Sequence, residues 1–381
     1  MIDGAQGPRV TLGGLEVLLL CSNNYLGLAD HPAVRRAAAE AAERFGAGAG
    51  ASRLISGTMA LHRKLERRIA EWSHAGAALT FGSGYLANVG TISTLAGRDH
   101  VVFSDELNHA SIIDGCRLSR AETFVYRHRD LDHLAWGLRR MNGRGGLIVT
   151  ESVFSMDGDV APLVEMVDLA RANGCLMMVD EAHAVGALGP GGRGAVAEAG
   201  LTKEVDLVVG TLGKALGSYG AYVCSSAELC ELLVNTARTF IFSTAPPPPA
   251  MGAALAALDL LAAQPGLVEQ LRRNAATLRT ELAACGFDTG ESRTQVMPVV
   301  VGDAQRAVDL CERCLDHGVF AQAIRPPTVP EGTSRLRLSV MSAHHGEELR
   351  AAAQKIALAA RQLGIEPRAS AHPAAQLDRA A

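Results

Sequence analysis

The sequence predicts an α/β protein with a mostly parallel sheet in a large domain, followed by a smaller C-terminal α+β domain. Short β-branched runs alternate with helical patterns from about residue 77 to 226, and a proline run at 246–249 precedes strands and helices of a different order. Strands separated by helices favour parallel βαβ units. A chain of 381 residues is also longer than one typical core supports.

The large domain can be followed element by element. Its predicted strands are AALTF, HVVFSD, TFVYR, GLIVTES, LMMVDE, VDLVVGT and GAYVCSS, with helices beginning at Tyr85, Ala110, Leu131 and Leu163. Several strands end in polar side chains, namely Ser104, Asp105, Glu151, Ser152, Asp180, Glu181 and Thr211. Because ligands of open α/β sheets bind beyond the carboxyl ends of strands, these ends are candidate site positions.

The segment TAPPPPAMG predicts a domain boundary near residue 248, because consecutive prolines lack N–H donors and impose extended geometry. Beyond it we predict one long Ala/Leu-rich helix, the strands TQVMPVVVG, VFAQAI and RLRLSV, and helices from Ala304 and from Glu347 to about Leu363. The predicted divisions are an N-terminal segment 1–45, a large domain 46–248, a small domain 249–364 and a disordered tail 365–381.

Composition excludes several classes of protein. The formal charge of −4 comes from interleaved acids and bases, so there is no basic field for nucleic acid. No apolar stretch reaches the roughly 20 residues that span a bilayer, and MIDGAQGPRV lacks a signal-peptide pattern, so we expect a cytoplasmic protein that contacts no membrane. The eight cysteines lack the spacing of a disulfide framework or metal site, so we expect buried thiols and no metal.

Two segments carry the strongest chemical signal. In LMMVDEAHAVG, Asp180 ends an apolar run and His183 follows in the turn. A carboxylate placed there favours a cationic partner such as a pyridinium nitrogen, although an acidic helix cap is the plainer interpretation. In VDLVVGTLGKALG, Lys214 lies in a glycine-rich turn, where a desolvated amine is nucleophilic toward an aldehyde. A solvated loop lysine is the alternative if Lys214 is taken alone.

Two further segments fit a phosphorylated, planar ligand. FGSGYLANVG places Gly84 and Tyr85 at a helix N-terminus, where free N–H groups favour a phosphate, and the Thr211 hydroxyl is a second candidate phosphate donor. In SDELNHASIIDG, the imidazole of His109 could stack on a planar ring or cap the next helix. Together with Asp180 and Lys214, these positions predict pyridoxal 5'-phosphate as the cofactor.

The ordered segments resemble one known family. SNNYLGL, GASRLISGT, FGSGYLAN, SDELNHASIIDGCRLS, ESVFSMDGD, VDEAHAVGALGPGGRG, GTLGKALG, FIFSTAPP and RPPTVPEGTSRLRLSV are similar to the α-oxoamine synthases, which are fold-type I pyridoxal-phosphate transferases. The resemblance spans residues 21 to about 360.

The resemblance implies a role for each matching position. Lys214 would form the Schiff base, Asp180 would pair with the pyridine nitrogen, and His183 would hydrogen-bond the phenolic oxygen. His109 would stack on the ring and touch substrate. The remaining cofactor positions are Gly84, Tyr85, Ser155, Thr211, Ser243 and Thr244.

The resemblance also implies a homodimer with a shared active site. Ser243 and Thr244 would contact the partner's phosphate, and Asn23 would enter the partner's substrate pocket. Arg337 would bind the amino-acid carboxylate, a task that suits a two-pronged donor, whereas the alternation in RLRLS could also indicate a half-exposed strand. Arg335 shares that face without an assigned role.

The substrates are inferred from the C-terminal motif. AIRPPTVPEGTSRLRLSV most resembles members that join L-alanine to a pimeloyl thioester, carried on CoA or a carrier protein, in biotin synthesis, with Thr328 contacting substrate. HASIIDGCRLS and TLGKALG also resemble members that join glycine to acetyl-CoA; members making 5-aminolevulinate or using serine and palmitoyl-CoA fit less well. An aminotransferase or aldolase need not carry RPPTVP, and a non-catalytic homologue would be expected to have lost Lys214, Asp180 or His183.

Overall fold

The computed structural model describes residues 1–366, which form two compact units. The large unit contains His31–Phe154 and Val160–Pro265. The small unit contains Met1–Asp30, Ser155–Asp159 and the chain from Gly266 onward. The five residues 155–159 are therefore an excursion from the large unit into the small one.

These units differ from the predicted divisions at both ends of the large domain. Helix Pro248–Ala263 packs against helix Pro32–Phe45 and belongs to the large unit, so the proline run opens a helix there instead of marking a boundary. Proline is tolerated in the first helical turn because those N–H groups have no partner within the helix. Residues 1–30 join the small unit, since strand Leu15–Leu19 pairs with Val319–Phe320. The predicted tail lies almost wholly outside the described residues.

The large unit contains a seven-stranded sheet. In spatial order its strands are Ala77–Phe81, Ala221–Ser225, Leu207–Thr211, Cys175–Asp180, Gly145–Glu151, His100–Asp105 and Glu122–Tyr126. Within the described chain, Ala221–Ser225 runs antiparallel to both neighbours and the other pairs are parallel. The carboxyl ends of the parallel strands therefore meet at one edge, as the sequence predicts.

Helices cover the sheet of the large unit and bury its apolar residues. Val102, Val149, Met178 and Leu207 are fully enclosed, which is expected for parallel strands with both faces covered. The helices of this unit are Pro32–Phe45, Ala60–Ser73, Gly84–Leu95, Ala110–Ser119, Leu131–Leu138, Leu163–Ala172, Ala195–Glu198, Ala227–Thr236, Arg238–Ile241 and Pro248–Ala263, with a π-helix at Arg53–Gly57.

The small unit contains two short sheets. One has the order Ile2–Asp3, Arg9–Leu12, Leu15–Leu19 and Val319–Phe320; the other, antiparallel, has the order Val296–Gly302, Ser334–Ser339 and Gln322–Ile324. Its helices are Gly266–Ala284, Ala304–Asp316 and Gly346–Gln362.

Two predicted elements of the C-terminal region are divided in the structure. The single strand VFAQAI is interrupted at Ala321, so that its halves join different sheets. The single Ala/Leu-rich helix is two helices, because Pro265 cannot continue the first one. Among residues 1–366, no single helix is long and apolar enough to cross a membrane, although the consecutive pair Pro248–Ala263 and Gly266–Ala284 meets that test when taken together.

Candidate active site

Lys214 and His183 are in direct contact in the large unit. The Nζ atom of Lys214 lies 2.8 Å from Nε2 of His183. Thr211 shapes the turn that carries the lysine, because its hydroxyl donates to the carbonyl of Gly220 and accepts from the N–H of Gly213, each at 3.2 Å. Two neighbouring strand ends thus bring the predicted lysine and histidine together.

Asp180 is buried and has two hydrogen-bond donors. Its Oδ1 accepts from the backbone N–H of Ala182 at 2.8 Å, and its Oδ2 accepts from Nδ2 of Asn88 at 2.6 Å. Two neutral donors fix the orientation of the carboxylate without neutralising its charge. No ion pair neutralises Asp180 in the described part of the chain, so a cationic group bound beside it would supply a counter-charge.

A chain of hydrogen bonds connects Asp180 to His109. Nδ2 of Asn88 also donates to Oγ of Ser111 at 2.9 Å, and this oxygen lies 2.8 Å from Nδ1 of His109. The same Nδ1 accepts from the N–H of Ser111, so His109 does cap its helix, as the plainer interpretation proposed. Burial lowers the pKa of His109 below its usual range, with the Asp180 charge opposing this effect. The imidazole is therefore neutral near pH 7 and carries its proton on Nε2.

Glu151 adds a second buried acid beside these groups. It pairs in register with Asp180 on the adjacent strand, and its Oε1 has no hydrogen-bond partner among the described residues. Burial, and after it the nearby Asp180 charge, raise the pKa of Glu151 to about 8, while Lys214 opposes the shift. Glu151 therefore favours its neutral, protonated form near pH 7.

The predicted phosphate position is an open helix N-terminus. Ser83 caps helix Gly84–Leu95 by accepting from the N–H of Leu86 at 3.2 Å. A methyl group built on Gly84 would meet nothing within 4 Å, so an anion can approach the first turn. The hydroxyl of Tyr85 donates to Asp114 at 2.6 Å, which holds the ring at the edge of this opening.

Arg337 is buried in the small unit, with 6% of its surface exposed, so the alternation in RLRLS does not place its charge in water. Its Nε donates to the backbone carbonyl of Ser155, and its two terminal nitrogens each lie 3.3 Å from Oδ1 of Asn23. Asn23 was predicted to enter the pocket of a partner subunit. Within this chain its amide oxygen lies beside Arg337, because strand Leu15–Leu19 belongs to the same unit as Arg337. The contact of Asn23 with a partner subunit stays a prediction.

The other predicted positions lie at surfaces. Thr328 is exposed and donates its N–H to the carbonyl of Arg325 at 3.1 Å. Thr244 is also exposed and forms an isolated β-bridge with Ser52, and Ser243 beside it is half-buried.

Comparison with known proteins assigns the chain to a family. Residues 16–356 match the model of aminotransferase class I and II. The 8-amino-7-oxononanoate synthase of Geobacter sulfurreducens is 53% identical over 96% of this chain and 94% of that protein, and the one from Anaeromyxobacter dehalogenans is 52% identical over 91% and 87%. The chain belongs to the α-oxoamine synthase family. The predicted family is confirmed.

Solved structures of α-oxoamine synthases agree with the fold. The serine palmitoyltransferase of Sphingomonas wittichii superposes with a TM-score of 0.93 at 34% identity, covering 96% of this chain and 93% of that one. The 8-amino-7-oxononanoate synthase of Francisella tularensis gives 0.79 at 27% identity, covering 92% and 99%. The predicted fold-type I architecture, with its mostly parallel sheet, is confirmed.

The residues present fit the pyridoxal phosphate on which this family depends. Asp180, a buried carboxylate with no cationic partner in residues 1–366, matches a pyridinium. The open helix N-terminus matches a phosphate, and the lysine beside a histidine matches an aldehyde. The sequence interpretation missed Asn88 and Ser111, which orient Asp180 and His109. Asn88 lies one turn into the helix after FGSG, a position that could have drawn attention to it.

Proposed function

We propose that this protein is a pyridoxal-phosphate-dependent 8-amino-7-oxononanoate synthase. It would condense L-alanine with a pimeloyl thioester of CoA or a carrier protein, releasing the thiol and carbon dioxide, as a step of biotin synthesis in the cytoplasm. The proposal rests on a sequence identity of 52–53%, over 96% of this chain, with relatives of that name.

The chain supplies the groups that this chemistry requires. Pyridoxal phosphate, when bound, provides an electron-accepting ring. Asp180 keeps a negative charge in a buried place, where it favours a protonated ring nitrogen. Glu151, neutral near pH 7, leaves that charge single, because two ionised carboxylates in one buried site would repel each other.

Lys214 is the proposed general base as well as the attachment point. Its amine, displaced by the amino acid, would take the α-proton and later return a proton to product. His183 lies 2.8 Å from this amine and can hold it in position. His109, neutral and fixed at Nδ1 by Ser111, carries its proton on Nε2 and would orient the substrate and the ring face.

Arg337 is the proposed carboxylate-binding residue of the small unit. A guanidinium has five N–H donors, and Ser155 and Asn23 take three of them among the described residues. Two remain for the substrate, which suits a bidentate carboxylate. Thr328 is proposed to contact the acyl substrate.

A homodimer is part of the proposal. Ser243 and Thr244 are proposed to contact the cofactor phosphate of the partner subunit. The surface beside them exposes Ile55 at 80% and Phe242 at 70%, and large apolar side chains at a surface favour a protein interface. The expected outcome is a dimer in light-scattering mass measurements, and an active protein that stays monomeric contradicts this part.

The substrate assignment is tested by comparing three pairs of substrates. The chain is also similar to serine palmitoyltransferases, so serine with palmitoyl-CoA joins alanine with pimeloyl-CoA and glycine with acetyl-CoA in the comparison. We expect the highest kcat/KM for CoA release with alanine and pimeloyl-CoA. Preference for glycine and acetyl-CoA would instead identify a glycine C-acetyltransferase.

A further inference from the structure

The segment Ser155–Asp159 is bonded to other residues of the small unit at Ser155, Asp157 and Gly158. Arg335 forms an ion pair with Asp157, and Arg337 donates from Nε to the carbonyl of Ser155. Next to Asp157, Gly158 accepts at its carbonyl from Oγ1 of Thr294 at 3.0 Å. At least three of the five residues in this segment therefore have a polar contact with the sheet or with residues next to it in the small unit.

Gly158 shows how closely the segment is packed. Its φ of +70° is a conformation that L-residues rarely adopt, and a methyl group built on it would lie 2.0 Å from the carbonyl oxygen of Val296. The backbone at 158 can neither carry a side chain nor move toward strand Val296–Gly302. The position of the segment is thus set by contact with the sheet as well as by its polar bonds.

The two arginines act from one strand. Arg335 and Arg337 are two residues apart in Ser334–Ser339, the central strand of its sheet, so their side chains leave the same face. Both are buried, at 4% and 6% exposure. A buried guanidinium is costly without an acceptor, and each finds one in the segment 155–159.

The bond from Nε decides the orientation of the Arg337 guanidinium. The group is planar, so fixing Nε on the Ser155 carbonyl fixes the plane in which the terminal N–H groups point. That carbonyl lies two residues from Asp157, which Arg335 holds. Displacement of Asp157 would shift the carbonyl, and with it the plane of the guanidinium.

We propose that Asp157 and Arg335 are positioning residues for the amino-acid carboxylate. Their ion pair holds the segment 155–159 so that the Ser155 carbonyl aims the free edge of Arg337 at that carboxylate. The inference rests on the proposed function, in which Arg337 binds the carboxylate. It gives Arg335 a role that its place in RLRLS does not reveal.

The test compares Asp157→Asn, which removes the charge of the pair, with Asp157→Glu, which keeps it. Alanine binding is measured without acyl donor, from the change in cofactor absorbance during titration. We expect Asp157→Asn to raise the Kd for alanine by about tenfold, the usual worth of one charge-assisted hydrogen bond. The KM for the acyl thioester and kcat should stay within about twofold, and Asp157→Glu should recover most of the affinity.

A control variant, Glu348→Gln, and a reference variant, Arg337→Ala, distinguish failure of the inference from failure of the proposed function. Glu348→Gln removes another ion pair of the small unit, with Arg9, and should leave alanine binding unchanged. If Arg337→Ala leaves alanine binding intact, the proposed role of Arg337 fails and the inference fails with it. If Arg337→Ala weakens binding but Asp157→Asn does not, the inference alone is overturned. Equal losses of alanine and acyl-thioester affinity in Asp157→Asn would overturn it too.

Discussion

The two candidate binding clusters, one in each unit, are built on buried ionisable side chains of opposite sign. In the large unit the buried ionisable groups include Asp180 and Glu151, at the ends of parallel strands. In the small unit they include Arg335 and Arg337, in the middle of an antiparallel strand. A buried charge is stable only with a partner, so each cluster indicates the charge of its ligand: a cation for the first and an anion for the second.

The clusters also differ in what holds them. Asp180 is oriented by a side-chain amide and one backbone N–H, which leave its charge unneutralised. Arg337 is oriented by a backbone carbonyl and the side chain of Asn23, which likewise leave its charge unneutralised. In both clusters, neutral groups fix the orientation of the charged side chain and leave its charge to interact with a ligand. Substitutions that remove the charge of a side chain while keeping its shape therefore test whether the two clusters differ as described.

The largest effect is expected for Lys214→Ala. Removing the amine removes both the attachment point and the proposed base, so CoA release should fall by at least about 10³-fold. Borohydride treatment of the native protein should fix the cofactor on Lys214, as located by mass spectrometry of peptides. A reduced adduct on another lysine would contradict the assignment of the large-unit cluster.

Asp180→Asn should have the next largest effect. The amide keeps the shape of the carboxylate but cannot stabilise a cation, so we expect kcat to fall by about 10²- to 10³-fold. The absorbance spectrum of the bound cofactor should change in this variant and not in Arg337→Ala. Equal spectra for Asp180→Asn and the native protein would remove the proposed difference between the two clusters.

The smallest effect is expected for Glu151→Gln, and it concerns stability against pH. The pKa of Glu151 is raised in the folded state, from 4.5 to about 8, so the folded protein holds the extra proton between these values. Stability therefore falls as pH rises through this window, by at most about 1.4 kcal/mol per pH unit. Glu151→Gln should flatten this slope in urea unfolding of cofactor-free protein between pH 5 and 8. Parallel slopes for the two proteins would show that Glu151 does not titrate as described.

Much of the large unit was predictable from local patterns. The β-branched runs placed all seven strands of its sheet within about two residues, because most of these strands are buried on both faces and therefore have nearly continuous apolar sequences. Helix starts at Ala110, Leu131 and Leu163 were also right. The prediction was wrong where the structural effect of a residue depended on its neighbours. Pro248, for example, begins a helix of the large unit and does not mark a domain boundary.

The partners of the site residues were harder to predict. Asn88 lies 92 positions from the carboxylate it orients, and nothing in its own segment separates it from an ordinary helical asparagine. Arg335 and Asp157 are 178 positions apart. Contacts over such separations depend on how strands are ordered in a sheet and on which segment folds against which unit.

By itself the sequence determined the alternation of strands and helices, the chemistry of Lys214, Asp180, His183 and His109, and the resemblance to one family. These follow from short-range periodicity and from the reactivity of side chains, which need no knowledge of distant residues. The tertiary structure decided that Asn23 lies beside Arg337 of its own chain, that Glu151 is a neutral acid near pH 7, and that residues 155–159 belong to the small unit. The physical reason is that burial and long-range contact fix both the charge and the direction of a side chain, and neither is a local property.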